Sequence, residues 1–367
     1  PSLEETYHLG THAYLDAGLS LTDYRFTVEC EYLASPPAFA ADIGILFRYQ
    51  DAENFYRLSI NSRYGFTRLE KRVNGVFSPL ATDARGYVRG EVIVLEVEVV
   101  GSQLFVWRDG DPIFAVTDSS LSSGTVAVYA QNDAAFDNVY VDAPSEVPTV
   151  VLEAPLAYST TSGDTITARA LARNVPAGGA VEFRLNGGSA TEDPAPPYEV
   201  QFPLLAAGDY EVEAVLLDDV GTQVPGASDL NVFVGVGGEL FAGVGDSGTN
   251  GAKDNYTGDN LGVAERIIGF RGYQAFLTSL LDGTSGIPNL VFNEGIGGDD
   301  SYDAAFERVD SILARHLDLD TALVMLGTND ANATMPTPSG LGCSGSGCDG
   351  TFKGNLQVLV DKLLAAG

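Results

Sequence analysis

From the start of the chain to about residue 143, apolar and polar positions alternate in short runs broken by turn residues, and no helical period develops. The runs are Tyr24–Leu33, Asp42–Tyr49, Asn54–Asn61, Phe66–Arg72, Glu91–Val99, Gln103–Arg108, Gly124–Tyr129 and Phe136–Val141. In Glu91–Val99 the polar Glu96 and Glu98 fall opposite Leu95, Val97 and Val99, as a half-buried strand requires. Asn74-Gly75 and Asp109-Gly110 are hairpin signals at strand junctions. The pattern predicts a β-sandwich of roughly eight or more strands.

Pro144-Ser-Glu-Val-Pro148 reads as a stiff polar junction. Beyond it, Val150–Ala154, Thr165–Arg173, Ala180–Leu185, Tyr198–Phe202, Tyr210–Leu217 and Leu230–Val236 predict a second sandwich of short strands, with prolines confined to the intervals between them. After Gly235-Val-Gly-Gly238 the texture changes to apolar strands alternating with amphipathic helices. Strands are expected at Leu240–Val244, Leu290–Asn293 and Ala322–Leu326, and helices at about Val263–Leu281, Tyr302–His316 and Phe352–Ala366. The second helix would bury Phe306, Val309, Ile312 and Leu313, and the third Leu356, Leu359, Val360, Leu363 and Leu364. Asp300 and Asp303 suit the N-terminus of the second helix. This alternation predicts a parallel, doubly wound sheet. The chain thus reads as domains at 1–143, 148–236 and 239–367, which fits the two or three domains that 367 residues suggest.

Composition narrows the partners. Asp and Glu number 50 against 20 Lys and Arg, a net charge of −30. Nucleic acid and anionic membrane surfaces are excluded as leading partners, since both need a basic footprint. No apolar run is long enough for a membrane-spanning helix. Acidity of this size suits an extracellular, salt-tolerant surface. Pro1-Ser-Leu-Glu-Glu5 has neither the basic start nor the apolar stretch of a secretory leader, and with no initiating Met the sequence is expected to begin inside a longer precursor. Cys343 and Cys348, separated by four small residues, form either a loop disulfide or two free thiols. Cys30, at an alternating position, reads as a buried apolar filler. Neither a metal nor another cofactor is called for, and whether the many Asp residues hold a structural Ca²⁺ is not derivable from the sequence.

In parallel α/β sheets ligands gather at the carboxyl ends of the strands. Each of the three ends carries a polar, glycine-rich turn: Gly245-Asp-Ser-Gly-Thr-Asn-Gly251, Asn293-Glu-Gly-Ile-Gly-Gly-Asp299 and Gly327-Thr-Asn-Asp330. The first exposes the Ser247 hydroxyl, the second can aim backbone N–H groups at an oxygen, and the third brings the Asn329 carboxamide. Acyl transfer needs this set: a hydroxyl nucleophile and donors for a tetrahedral oxyanion. The plainer alternatives are an Asp-capped turn, a β–α turn and an Asx turn.

Two resemblances follow. Trp107-Arg-Asp-Gly-Asp-Pro-Ile-Phe-Ala115, Leu121-Ser-Ser-Gly-Thr-Val-Ala-Val-Tyr129 and Ala135-Phe-Asp-Asn-Val-Tyr-Val141 resemble the concanavalin A/laminin G-like jelly-roll modules of secreted bacterial carbohydrate enzymes, and the second sandwich resembles bacterial Ig-like modules, for which a spacer role is the default. The three turns, over about Leu240–Gly367, resemble the SGNH hydrolase (GDSL-type esterase/lipase) superfamily, and imply a three-layer, flavodoxin-like α/β domain. By that resemblance Ser247 is the nucleophile and first oxyanion donor, Gly298 gives a backbone N–H and Asn329 its side-chain amide, with Asp246 and Asp330 in support. Gly248 departs from the aliphatic residue usual there.

The family's His and Asp lie in a later Asp-x-x-His motif, which this sequence does not contain. Its histidines are His8, His12 and His316; the last is expected at a helix C-terminus, at the far end of the sheet from Ser247, and not as the base. The α/β domain therefore reads as C-terminally incomplete, its missing segment holding two further strands and the base, because a serine without its base retains little activity. The expectation is a secreted bacterial serine esterase that removes acyl (acetyl) groups from polysaccharide through an acyl-enzyme. The alternatives are a non-catalytic adhesin or assembly subunit and a carbohydrate-binding protein, with self-association left open. Tyr49, Tyr56, Tyr64 and Trp107 are either sugar-stacking surfaces or core.

Overall fold

The computed structural model describes residues 10–16, 18–33, 42–61, 65–83, 85–88, 90–204, 207–251, 272–332 and 336–366. The chain divides into two compact units, one of Pro1–Tyr158, Thr167–Phe202 and Tyr210–Phe233, the other of Ser159–Ile166, Pro203–Asp209 and Val234–Gly367.

In the first unit, alternation becomes a two-layer β-sandwich. One sheet runs in the order Thr11–Tyr14, Thr125–Ala130, Asp42–Asp51, Asn54–Asn61, Phe66–Val73, Val76–Asp83, and the other Ala134–Asp142, Tyr24–Tyr32, Val92–Val100, Gln103–Arg108, Asp111–Thr117. Every other residue of Tyr24–Tyr32 is buried, and Tyr24, Phe26 and Val28 meet Ile43, Ile45, Phe47, Leu58, Leu95 and Val97 in one apolar cluster built from both sheets. Asn74-Gly75 and Asp109-Gly110 have positive φ at both positions, as a type I′ hairpin demands. Thr11–Tyr14, Val76–Asp83 and Asp111–Thr117 are strands that the alternation did not single out.

The remaining strands of this unit form a second sandwich. Thr149–Ala154, Thr165–Arg173 and Tyr198–Pro203 make one sheet, and Thr191–Asp193, Ala180–Leu185, Gly208–Leu217 and Gln223–Gly235 lie in order in the other. The outer face of the Val92–Val100 strand does not meet water as its pattern predicts. Glu98 is buried, ion-paired to Arg173 and accepting the Ser145 N–H at 2.7 Å. Beside it Phe105, Ala115 and Val151 pack with Trp107 and Leu171, so the junction clamps the sandwiches together.

Among the described residues, the second unit's own sheet has three parallel strands in the order Asn289–Gly295, Glu239–Gly245, Thr321–Met325. The helix expected at Val263–Leu281 begins at Gln274, after a turn at Gly272 and Tyr273, and runs to Ser285; residues 263–271 lie outside the described residues. It outlasts its apolar period because the Thr284 and Ser285 hydroxyls bond back to Leu280 and Leu281 carbonyls and Gly286 ends it at φ 74°. A π-helical turn, Asp303–Arg308, leads into the α-helix Val309–Arg315. The wider turn carries Phe306 away from the Val309 face: Ala304, Ala305, Arg308, Val309 and Ile312 are buried, while Phe306 is exposed and stacks on Tyr302. In the helix Phe352–Ala366, Leu359 is buried and Leu356 and Leu363 pack with it, but Val360 and Leu364 are exposed, since no described element covers that side. Val324 and Met325 of the third strand are exposed too. No described helix is long and apolar enough to cross a membrane.

Candidate active site

At the end of the first parallel strand, Asp246 caps a single helical turn, Ser247–Asn250, by accepting the Gly248 N–H at 2.8 Å. Asp246 is buried and Ser247 half-buried. The turn is stitched to the end of the second strand. Asn250 Nδ2 donates to the Gly295 carbonyl at 2.8 Å, Ile296 N–H to the Gly245 carbonyl at 3.0 Å, and the Asn293 side chain bridges Gly295 N–H and the Asn250 carbonyl. Gly295 is required here, because a Cβ would stand 2.2 Å from the Asn250 nitrogen.

The second turn then passes beside the hydroxyl. A Cβ built on Gly297 would lie 3.8 Å from Ser247 Cβ, and Gly298 takes φ 93°, a conformation that glycine adopts without strain. Both glycines are exposed. From the third strand end, half-buried Asn329 donates through Nδ2 to the Asp299 carbonyl at 2.6 Å. Asp330 is buried and holds Ser301, accepting its N–H at 3.0 Å and its hydroxyl at 2.5 Å. Asp300 accepts Tyr302 and Asp303 N–H groups, the cap that the sequence predicts. Ser247, Gly298, Asn329, Asp246 and Asp330 thus belong to one cluster of turns. A hydroxyl beside a glycine turn whose end holds a carboxamide comprises the group types that acyl transfer uses, a nucleophile and donors to an oxyanion.

Beneath the turns lies a charged floor that sequence reasoning missed. Glu294 is buried and accepts from Arg315 Nη2 at 2.7 Å and from His316 Nε2 at 2.7 Å. Burial alone would raise its pKa, but Arg315, the His316 hydrogen bond and Arg308 outweigh this and hold the carboxyl far below the usual range. Arg308 donates to the Asp299 carboxylate at 2.5 Å and to the Glu294 carbonyl. The signal for Arg308 was an arginine among alanines and valine on an apolar helix face. Thr160, 156 residues before His316, gave none.

His316 caps its helix and begins a two-residue strand beside Thr160–Thr161. It does not stay at the far end of the sheet: its ring lies 4.9 Å from that of Phe292, in mid-strand, and reaches Glu294. Nε2 donates to the carboxylate and Nδ1 is 2.7 Å from the Thr160 hydroxyl, so both ring nitrogens are engaged. His12, in the first unit, bonds to the Tyr49 hydroxyl at 2.9 Å, and burial lowers its pKa. His8 lies outside the described residues. Within the second unit, His316 has both ring nitrogens engaged by Glu294 and Thr160 and shows no bond to Ser247.

Cys343 and Cys348 form a disulfide, and buried Cys30, whose thiol pKa burial pushes up to about 12, is the filler that its pattern predicts. Among the described residues no three metal-ligating side chains stand together. In the first unit Tyr56 is core and Trp107 packs with Phe105, while Tyr64 lies outside the described residues. Tyr49 is nearly buried, but exposed Tyr14 stacks on it at 5.2 Å. Both line an open cavity of about 570 Å³ with Asp16, Gln50, Asp51 and Thr125.

The chain is similar, over parts of its length, to several solved structures. A carbohydrate-binding module, CBM66 from Bacillus subtilis, is 20% identical over 36% of this chain and 83% of its own, with a TM-score of 0.33. Sheep galectin-11 is 14% identical over 36% of this chain and 96% of its own, TM-score 0.29. AlinE4, an SGNH-hydrolase family esterase, is 22% identical over 35% of this chain, TM-score 0.25, and the chain covers 53% of its length. No family profile and no curated protein matches the sequence.

Proposed function

We propose that the second unit carries the nucleophile and oxyanion donors of a secreted, SGNH-type serine esterase that removes acyl groups such as acetyl from polysaccharide. The observation that carries this reading is the convergence of Ser247, the Gly297–Gly298 turn and Asn329 at the carboxyl ends of three parallel strands. In this scheme Ser247 Oγ attacks the ester carbonyl carbon while the Ser247 and Gly298 N–H groups and Asn329 Nδ2–H donate to the oxyanion. The tetrahedral adduct collapses, the sugar alcohol leaves with a proton, and water cleaves the acyl-serine to free acid and Ser247. The general base is not among the described residues. Residues 1–143 are assigned as a lectin-like module, 148–236 as an Ig-like spacer and 239–367 as the hydrolase domain.

The test uses the protein as its host makes it. Ser247→Ala should lower p-nitrophenyl acetate hydrolysis at least ~1,000-fold, and diethyl p-nitrophenyl phosphate should label the peptide that contains Ser247. Absence of turnover and labelling in the wild type would favour the non-catalytic adhesin instead.

A second reading concerns the Tyr14 cavity. An exposed tyrosine stacked on a second ring, beside Asp51 and Gln50, is suited to hold a pyranose by ring stacking and hydroxyl hydrogen bonds. Titration with oligosaccharides should give binding that Tyr14→Ala removes; equal binding by the variant would reject this site.

A further inference from the structure

We propose that Arg308 is a positioning residue that clamps both ends of the turn Glu294–Asp299 and so fixes the backbone from which Gly298 donates. A guanidinium is a planar fork of five donors, and here its two arms reach different residues. Nη1 donates to the Asp299 carboxylate at 2.5 Å and Nη2 to the Glu294 carbonyl. These two acceptors bracket Gly295-Ile-Gly-Gly298, so one rigid group spans the turn that passes beside Ser247.

The rest of the arrangement makes the clamp necessary. Gly297 and Gly298 are exposed and have no side chains with which to hold themselves, and Gly298 sits at φ 93°. Asn329 reaches the same Asp299 from the other side, through its carbonyl. Arg308 itself cannot swing away: it is 3% exposed, on the inner side of the π-helical turn with Ala304 and Ala305. Its own charge is balanced, with the Glu294 carboxylate 3.7 Å from Nη2 and Asp299 on Nη1. A charge buried beneath an exposed glycine turn, bonded to its backbone, transmits the rigidity of the helix to the donor.

The catalytic half of this inference rests on the esterase reading; the mechanical half does not, and the experiment separates them. Peptide-resolved amide hydrogen exchange on the full chain compares the wild type with Arg308→Lys and Asp299→Asn. Lysine keeps the charge but reaches one acceptor at most, and asparagine keeps the shape but not the charge. Exchange in the segment 294–300 should rise at least ~10-fold in both variants, while the Glu239–Gly245 strand and the Phe352–Ala366 helix stay protected. In kinetics, kcat should fall roughly 10- to 100-fold with KM unchanged, and Arg308→Lys should retain more than Arg308→Gln. Unaltered exchange in the turn overturns the clamp, as does faster exchange throughout the unit, which would make Arg308 a determinant of fold alone. A loosened turn with unaltered kcat overturns the positioning role. A wild type without turnover defeats the esterase reading and leaves the clamp to be decided by exchange.

Discussion

In the first unit Arg57 is wholly buried against the six-stranded sheet, 2.7 Å from Glu70 and hydrogen-bonded to the Tyr129 hydroxyl, whereas Arg308 in the second unit is nearly as buried but lies under a turn of exposed glycines. The side chains that Arg57 binds come from two other strands of the sheet, Phe66–Val73 and Thr125–Ala130, so its cluster fixes how those strands stand relative to its own. Arg308 is bonded to a backbone that must keep one shape at the surface. Buried charge alone therefore says little about function; what its donors hold says more.

The largest effect expected from breaking this contrast is on the first unit. Arg57→Ala strips buried Glu70 of the closer of its two ion pairs and leaves Arg68 at 3.5 Å, which should cost about 3 kcal/mol, the low end for a broken buried pair, and lower that unit's calorimetric transition by roughly 10 °C. Ester hydrolysis by Ser247 should persist below the transition. If it were lost at once, the separation between the two kinds of buried arginine would not hold.

Asn329→Ala tests the other side. Removing one oxyanion donor should lower kcat roughly 100- to 1,000-fold with little change in KM, in esterase assays on the full chain. The amide also holds Asp299, so Asn329→Asp, which cannot donate there, should be no better than alanine.

The units should also answer acid in opposite senses. Burial pushes the Asp229 carboxyl up to about 6, against the N–H bonds from Leu152 and Leu230. A raised carboxyl pKa means the folded state keeps its proton longer than the unfolded state, so stability falls as pH rises from 3.8 to about 6. Glu294 is depressed, so its contribution is present above 4.5 and is lost as pH falls below that. Calorimetry between pH 6 and 4 should show the first unit gaining up to about 3 kcal/mol, while the second begins to weaken below pH 4.5. Asp229→Asn should flatten the first trend; a first unit that weakens steadily over this window would contradict it.

Much of this was legible beforehand because period-two alternation and glycine-rich turns are local signals. Asn54–Asn61, Thr165–Arg173 and Phe352–Ala366 coincide with their predicted spans, and the turns that hold Ser247, Gly298 and Asn329 could be located because each follows a strand. Burial imposed from a distance was not legible. Glu98 looked solvent-facing because nothing local reveals Arg173, and Phe306 looked buried because a 3.6-residue period cannot anticipate a π turn. His316 was placed correctly at a helix end, but its bond to Thr160 depends on a segment 156 residues away, and its bond to Glu294 on how the helix packs against the strand before it.

The smallest expected effect sharpens the same contrast, because it concerns a staple near the site that holds no turn of it. Cys343 and Cys348 close a loop of a few residues, and such a short loop removes little freedom from the unfolded chain, about 2 kcal/mol in the chain-entropy account. The loop is tied to the start of the last helix, with Lys353 Nζ donating to the Cys343 carbonyl at 2.8 Å and Thr351 to the Cys348 carbonyl at 2.6 Å. From there the chain leads back to Asp330 through the Thr337 N–H at 3.0 Å. Replacing both cysteines by serine should therefore lower the second unit's transition by a few degrees and leave kcat within about twofold, since Asp330 keeps Ser301 and Asn329 keeps Asp299 without help from the disulfide. Serine is the right replacement for Cys343, which is half-buried, and the stricter test at Cys348, which is buried. A loss of activity as large as that of Asn329→Ala would move the disulfide from the scaffold into the machinery that shapes the site.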